Sequence, residues 1–162
     1  PSYRGMTVED FLSFIASVRG FSGSELKKRV DEVMERTSLL SARRQTIETL
    51  SKGYRQRACF AQAILHDPDI LIMDEPTDGL DPNQKFAVRQ MITEMAKEKA
   101  IIVSTHILEE VDAVCTRCVI IARGQIVGEG TPAELKARDP QQRLDAVFRN
   151  LTLEVQTGKE NA

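Results

Sequence analysis

The chain has 162 residues, 41% of them hydrophobic, and its 22 basic and 24 acidic side chains leave a formal charge of −2. That balance excludes a polyanion binder acting through bulk positive charge, and no stretch approaches the roughly 18 consecutive apolar residues that would span a bilayer. Three cysteines, an odd number in a chain of this length, do not make a disulfide framework.

Residue 1 is Pro and the first Met is Met6, inside a helix start, which predicts a piece of a longer chain. Thr7, with Asp10 three residues on, is a capping-box-like pair ahead of Val8, Phe11, Leu12, Ile15 and Val18 at helical spacing, and Gly20 ends that helix. Ser22 and Glu25 open a second helix, with Leu26, Val30, Val33 and Met34 on one face. A third helix begins at Ser51 and carries Ala58, Cys59, Ala61, Ala63, Ile64 and Leu65, with Cys59 expected in the core. It ends before Asp67-Pro68, because proline disfavours helix for the residue ahead of it.

The pattern then changes. Ile70-Leu71-Ile72-Met73, Ala100-Ile101-Ile102-Val103 and Val119-Ile120-Ile121-Ala122 are short unbroken apolar runs, separated by helical stretches at 83–97 and 107–115. Such runs predict strands buried on both faces, as in a parallel α/β sheet. Arg123-Gly124-Gln125 is a turn before a short strand at Ile126-Val127. Pro132 opens a helix after Thr131, a last helix covers 143–151, and the polar tail beyond should fray. Cys115 and Cys118 have CxxC spacing, but they join a helix to a strand, and packing is the expected role.

Three constellations carry chemistry. First, the strand at 70–73 delivers Asp74 and Glu75 at its carboxyl end, a Walker B arrangement, where ligands of open α/β sheets bind. Asp74 suits Mg²⁺, which takes oxygen ligands, and Glu75 is placed to orient or deprotonate an attacking water. Taken alone, the same pattern also fits a strand ending in a solvated acidic turn. Residues 67–81 hold six acids and no Lys or Arg, so a metal or basic groups from elsewhere are expected to compensate them, with Asp67 and Asp69 simply solvated. Second, Leu50-Ser51-Lys52-Gly53-Tyr54-Arg55-Gln56-Arg57 opens a helix. Ser51 is a good cap and Gly53 permits close backbone approach, so the helix start suits a phosphate; an ordinary capped helix with a basic first turn is the plain alternative. Third, Ser104-Thr105-His106 follows a buried strand, which puts His106 at the same sheet edge as Asp74, within reach of a γ-phosphate oxygen. His66 is read as structural.

These three signals in this order resemble the nucleotide-binding domain of ABC transporters. Residues 50–57 match the signature motif, residues 70–76 match Walker B with its catalytic glutamate, Gly79-Leu80-Asp81 the D-loop, and His106 the switch histidine. Residues 1–10 are similar to the segment after the Q-loop, and residues 109–115 and 124–132 to the stretches after the switch. Leu50-Ser51-Lys52-Gly53-Tyr54 is similar to the signature of export-type, ABC-2-like ATPases; Lys52 and Tyr54 depart from the commoner Gly and Gln. Residues 144–152 are similar to the closing helix of such subunits, so the natural C-terminus is expected to be present. No Gly-x-x-x-x-Gly-Lys-Ser/Thr occurs, so Walker A and the Q-loop are expected upstream of Pro1.

The resemblance implies an α/β, partial P-loop NTPase fold, with a parallel sheet, helices and an α-helical signature subdomain. It implies a helical subdomain at 1–66, the C-terminal half of the RecA-like core at 67–138, and a C-terminal helix and tail at 139–162. It implies ATP and Mg²⁺ as cofactors and an ATP hydrolase in the intact protein, pairing head to tail with a second ATPase subunit. Ser51, Lys52, Gly53, Tyr54, Gln56 and Asp81 would then serve the nucleotide, Asp74 the metal, and Glu75 and His106 catalysis. A transmembrane permease is the implied partner, nucleic acid is not, and the place is cytoplasmic, peripheral at the inner face of the cell membrane. This chain alone is expected to bind MgATP weakly or not at all, and to expose strand edges and apolar surface that favour self-association. Two other readings stand beside transport: a non-catalytic interaction fragment, and a DNA-repair or translation ABC ATPase. The repair type needs long coiled coils, and no heptad run is present.

Overall fold

The computed structural model describes residues 5–156, without the side chains of 154–156. The expectations placed on residues 1–4 and on the tail beyond 156 therefore lie outside the described residues. The chain divides into two units, Pro1–Ser104 and Thr105–Ala162.

In the first unit, α1 covers Val8–Val18, α2 Gly23–Arg36 and α3 Lys52–Ile64, followed by β1 at Ile70–Asp74, α4 at Pro82–Met95 and β2 at Ala100–Ser104. Thr7 caps α1 in both directions: its hydroxyl accepts from the Asp10 amide at 3.1 Å and donates to the Asp10 carboxylate at 2.7 Å. Ser22 precedes α2 without a side-chain cap bond. The apolar stripes predicted for these helices are buried at Val8, Phe11, Leu12, Val30, Val33 and Met34, but Val18, expected on the first stripe, is the last residue of α1 and is 68% exposed.

Periodicity gave no warning of the segment between α2 and α3. It holds two single 3₁₀ turns, Leu40–Ala42 and Ile47–Thr49, and returns to the start of α1. The Val8 amide donates to Gln45 O at 3.0 Å, the Glu9 amide to Arg43 O at 3.1 Å, and the Ile47 amide to Met6 O at 3.0 Å. Two amides that a helix start leaves without intrahelical partners are thus satisfied by backbone from 34 to 37 residues on. Arg43 completes the join, with Glu9 at 3.2 Å on one side and Asp31 on the other.

Three further expectations fail along the chain. Cys59 is exposed, not core, because α3 buries the face formed by Gly53, Ala58, Phe60, Ala61 and Ile64. The strands are not buried on both faces. β1 and β2 pair in parallel, from Ile70 opposite Ala100 to Asp74 opposite Ser104. Leu71 and Met73 are buried beneath them, while Ile70, Ile72 and Ile102 are 62%, 76% and 58% exposed. One face of β1 is buried and the other is an open apolar surface. The third apolar run is not in this parallel sheet at all.

That run is β3, Cys118–Ala122, in the second unit, where it pairs antiparallel with β4, Gln125–Gly130. Arg123 and Gly124 both have positive φ, 49° and 76°, the conformation a two-residue hairpin turn requires. α5 is Leu108–Val114, α6 Pro132–Lys136 and α7 Leu144–Gln156. Thr131 and Glu134 form a reciprocal capping box at α6. The small core of this unit is Ile120, Leu135 and Leu144, with Leu108, Val111 and Leu151 packed against it. Burial raises the Cys115 and Cys118 thiols above their usual pKa, which keeps them protonated, in keeping with packing. Among the described residues no helix is long and apolar enough to cross a membrane.

The corner between α3 and β1 holds a titrating group. Lys99 reaches Asp67 at 2.7 Å and Pro68 O at 2.9 Å, and it holds the Asp67 carboxyl below its ordinary pKa. Beside it, burial and the Arg19 charge push His66 below its usual value of about 6.5. Its buried Nδ1 has no hydrogen-bond partner among the described residues. A depressed histidine contributes stability above its unfolded pKa, and that stability is lost as pH falls through the folded value, because the unfolded chain takes the proton first. The urea midpoint should therefore fall on acidification from about pH 7, and His66→Gln should flatten the fall. Tyrosine fluorescence follows it in this unit: there is no Trp, and Tyr54 belongs to the first unit, with no tyrosine in the second. An unchanged slope in the variant would remove His66 from this role.

Candidate functional site

Every predicted site residue except His106 lies in the first unit, and several converge where β1 ends. The parallel register places Asp74 opposite Ser104, and the Ser104 hydroxyl donates to the Asp74 carboxylate. Glu75 follows with φ +46°, in the left-handed region that a non-glycine residue rarely adopts. Its backbone is fixed on both sides: the Glu75 amide donates to Ser104 O at 2.9 Å, and its carbonyl accepts from the Asp78 amide at 3.1 Å. Such conformations persist where the surroundings impose them, often at functional sites. Pro76, Thr77 and Leu80 are buried, so the loop folds back on the core and leaves Asp74 and Asp78 exposed.

The start of α3 lies against this loop. Ser51 caps the helix, accepting from the Tyr54 amide at 3.3 Å. Lys52 Nζ donates to Asp78 at 3.0 Å, and Gln56 Nε2 donates to Pro76 O at 3.1 Å. A Cβ at Gly53 would overlap the Gln84 side chain, so only glycine fits there without displacing it. Tyr54 turns the other way, its hydroxyl 3.1 Å from that of Ser41, with Arg57 stacked over its ring at 5.4 Å. Asp81 caps α4: its carboxylate accepts from the Asn83 and Gln84 amides, each at 3.0 Å, and the Gln84 side chain closes the capping box.

The clustered acids thus find separate partners. Asp67 is not merely solvated but paired with Lys99; Asp78 is paired with Lys52, Asp74 bonds Ser104, and Asp81 caps a helix. Basic side chains near the start of α3 are also engaged separately: Arg43 pairs with Asp31, Arg55 Nη2 bonds Leu50 O at 3.0 Å, and Arg57 stacks on Tyr54.

Among the described residues no group of three or more His, Cys, Asp or Glu is arranged to hold a metal. Mg²⁺ shared with a nucleotide takes one or two protein oxygens and draws the rest from phosphates and water. Asp74 and the Ser104 hydroxyl are oxygen donors of that kind. His106 is exposed at the start of the second unit, and Thr105 Oγ1 there accepts from the Ile107 amide at 3.0 Å.

The sequence reading missed Asp78 and Gln84. The signal for Asp78 was an acid in an acid-only stretch with a lysine 26 residues earlier, a pairing that only the fold can select. Ser104 was named as part of a polar cluster, but not as the partner of Asp74.

Residues 2–78 match the family model described as ABC transporter. The chain is 38% identical over 146 residues to an uncharacterized ABC transporter ATP-binding protein, YxlF, of Bacillus subtilis, covering 90% of this chain and 48% of that protein. It is 34% identical over 137 residues to a "Probable multidrug ABC transporter ATP-binding protein", YbhF, of Escherichia coli, covering 84% of this chain and 24% of that one. A solved structure titled "Structure of ATP binding subunit of ABC transporter" superposes with a TM-score of 0.78 at 29% identity, covering 93% of this chain and 64% of its own. The chain therefore spans about half the length, or less, of the curated relatives named here.

Proposed function

Because the chain belongs to the ABC transporter ATP-binding proteins, we propose that the full-length protein binds and hydrolyses ATP to power export through a separate membrane permease. The observation that best supports this is the convergence at the end of β1. There Asp74 and a left-handed Glu75 stand beside Ser104, and the start of α3 is bonded to the loop that follows.

In this reading residues 1–66 form the helical signature subdomain, 67–138 the rear half of the ATPase core and 139–162 the closing helix and tail. Two subunits close head to tail. Ser51 and Gly53 of one offer a hydroxyl and a helix start to the γ-phosphate held by the other. Tyr54 and Gln56 set the shape of that helix start. Asp74, with the Ser104 hydroxyl, would hold Mg²⁺, which neutralises phosphate charge when bound. Glu75 orients water and accepts its proton. His106 donates toward the γ-phosphate, and Asp81 holds the D-loop at the start of α4. The protein acts at the inner face of the cell membrane, where it meets the permease through residues near 1–40. The export direction rests on the Lys52 and Tyr54 form of the signature and on the multidrug relative.

Phosphate release from MgATP tests the reading. The full-length protein should turn over ATP in a Mg²⁺-dependent way and lose that activity in Asp74→Asn. The 162-residue chain alone, which holds no phosphate loop, should release none. A full-length protein that binds no MgATP would overturn the proposal.

A further inference from the structure

We propose that Lys52 is a positioning residue rather than a phosphate contact: it ties the start of α3 to the turn that follows Glu75. The consequence for turnover rests on the ATPase reading above; the tie itself does not.

Three contacts join the two segments. The first is the Lys52 ammonium on the Asp78 carboxylate at 3.0 Å. The second lies beneath it, where the lysine side chain crosses the backbone of Gly79. A Cβ at Gly79 would overlap Nζ and Cε of Lys52, and Gly79 has φ +64°, so both the space and the backbone demand glycine. The third is one turn along α3, where Gln56 bonds the carbonyl of Pro76. Lys52 therefore spans the turn from above while Gln56 holds its base.

Within the turn the Asp78 amide donates to Glu75 O at 3.1 Å and the Leu80 amide to Thr77 O at 3.2 Å. Glu75 is the first residue of that turn, so its setting is linked to the start of α3. The ammonium is bonded to Asp78 on a side chain laid over Gly79, so reaching a phosphate would mean giving up both contacts. Ser51 and the helix start itself remain for that purpose. Lysine at this position thus supplies a link within one subunit that a glycine could not make.

The test is a double-mutant cycle in the full-length protein with Lys52→Met, Asp78→Asn and both together, alongside Lys52→Arg and the swap Lys52→Asp with Asp78→Lys. Each single neutral variant should lower kcat roughly two- to fivefold, the range an exposed ion pair supports, with KM for ATP unchanged. The double variant should be no worse than either single one, and Lys52→Arg and the swap should recover activity. A raised KM in Lys52→Met but not in Asp78→Asn would assign the lysine to phosphate, and additive losses would equally overturn the proposal. Amide hydrogen exchange at Leu80 supplies a readout free of catalysis: both single variants should speed it by the same factor, and unchanged exchange would overturn the tie. Wild-type protein without turnover would sink the ATPase reading and leave the exchange result to decide the tie.

Discussion

Replacing Glu75 by Gln in the full-length protein should lower ATP turnover by roughly 10²–10⁴-fold while leaving MgATP binding in place. Glutamine keeps the length and the oxygen that orients a water, but it cannot take the proton. The backbone that sets the residue is not at risk. Its left-handed φ and its bonds to Ser104 and Asp78 are main-chain features, and the substitution leaves them unchanged. Single-turnover phosphate release, together with nucleotide retained on the protein through gel filtration, separates the two effects. Lost release with retained ATP assigns Glu75 to the chemical step. Lost retention would instead make it a binding residue, and unaltered turnover would remove it from the mechanism. Glu75→Ala is the companion variant, because it also removes the orienting oxygen and should be at least as slow.

The legible parts of this molecule were those decided locally. Thr7 and Ser51 cap helices where their side chains had to find the first free amides, and Pro132 and Gly124 sit where fixed or positive φ is required. The end of β1 was legible too, because an apolar run stopping at two acids states its own direction. The environment of each strand was not. An unbroken apolar run indicates burial on both faces only when something covers both, and in this chain Ile70 and Ile72 face outward while Leu71 and Met73 face the core. For the same reason the third apolar run could not be told apart as half of an antiparallel hairpin. Cys59 illustrates the helical version: it sits among small residues in the sequence, yet a rotation of one position along α3 takes it out of the packed face. The candidate site divides in the same way. Its residue types were readable, but the partners were not, because Lys52 with Asp78 and Lys99 with Asp67 are joined across 26 and 32 residues by the fold alone.

That division yields the largest stability contrast expected. Leu12→Ala should cost the first unit about 2–5 kcal/mol, since Leu12 is fully buried on the α1 face that also carries Val8, Phe11 and Ala16. Ile72→Ala removes a side chain at least as large from a residue that is 76% exposed, so in this chain it should cost no more than about 1 kcal/mol, mostly strand propensity. Tyrosine fluorescence during urea unfolding measures both in the same unit, and an unchanged m-value shows that the midpoint shift is one of stability. The concentration dependence of the Ile72 result carries the rest. If the open face of β1 and β2 stays in water, the cost at Ile72 is small at every protein concentration. If that face associates, the cost grows with concentration toward that of Leu12, because a contact between chains then buries Ile72 and truncation removes it. A large cost at Ile72 that does not change with concentration would contradict the exposure of this face.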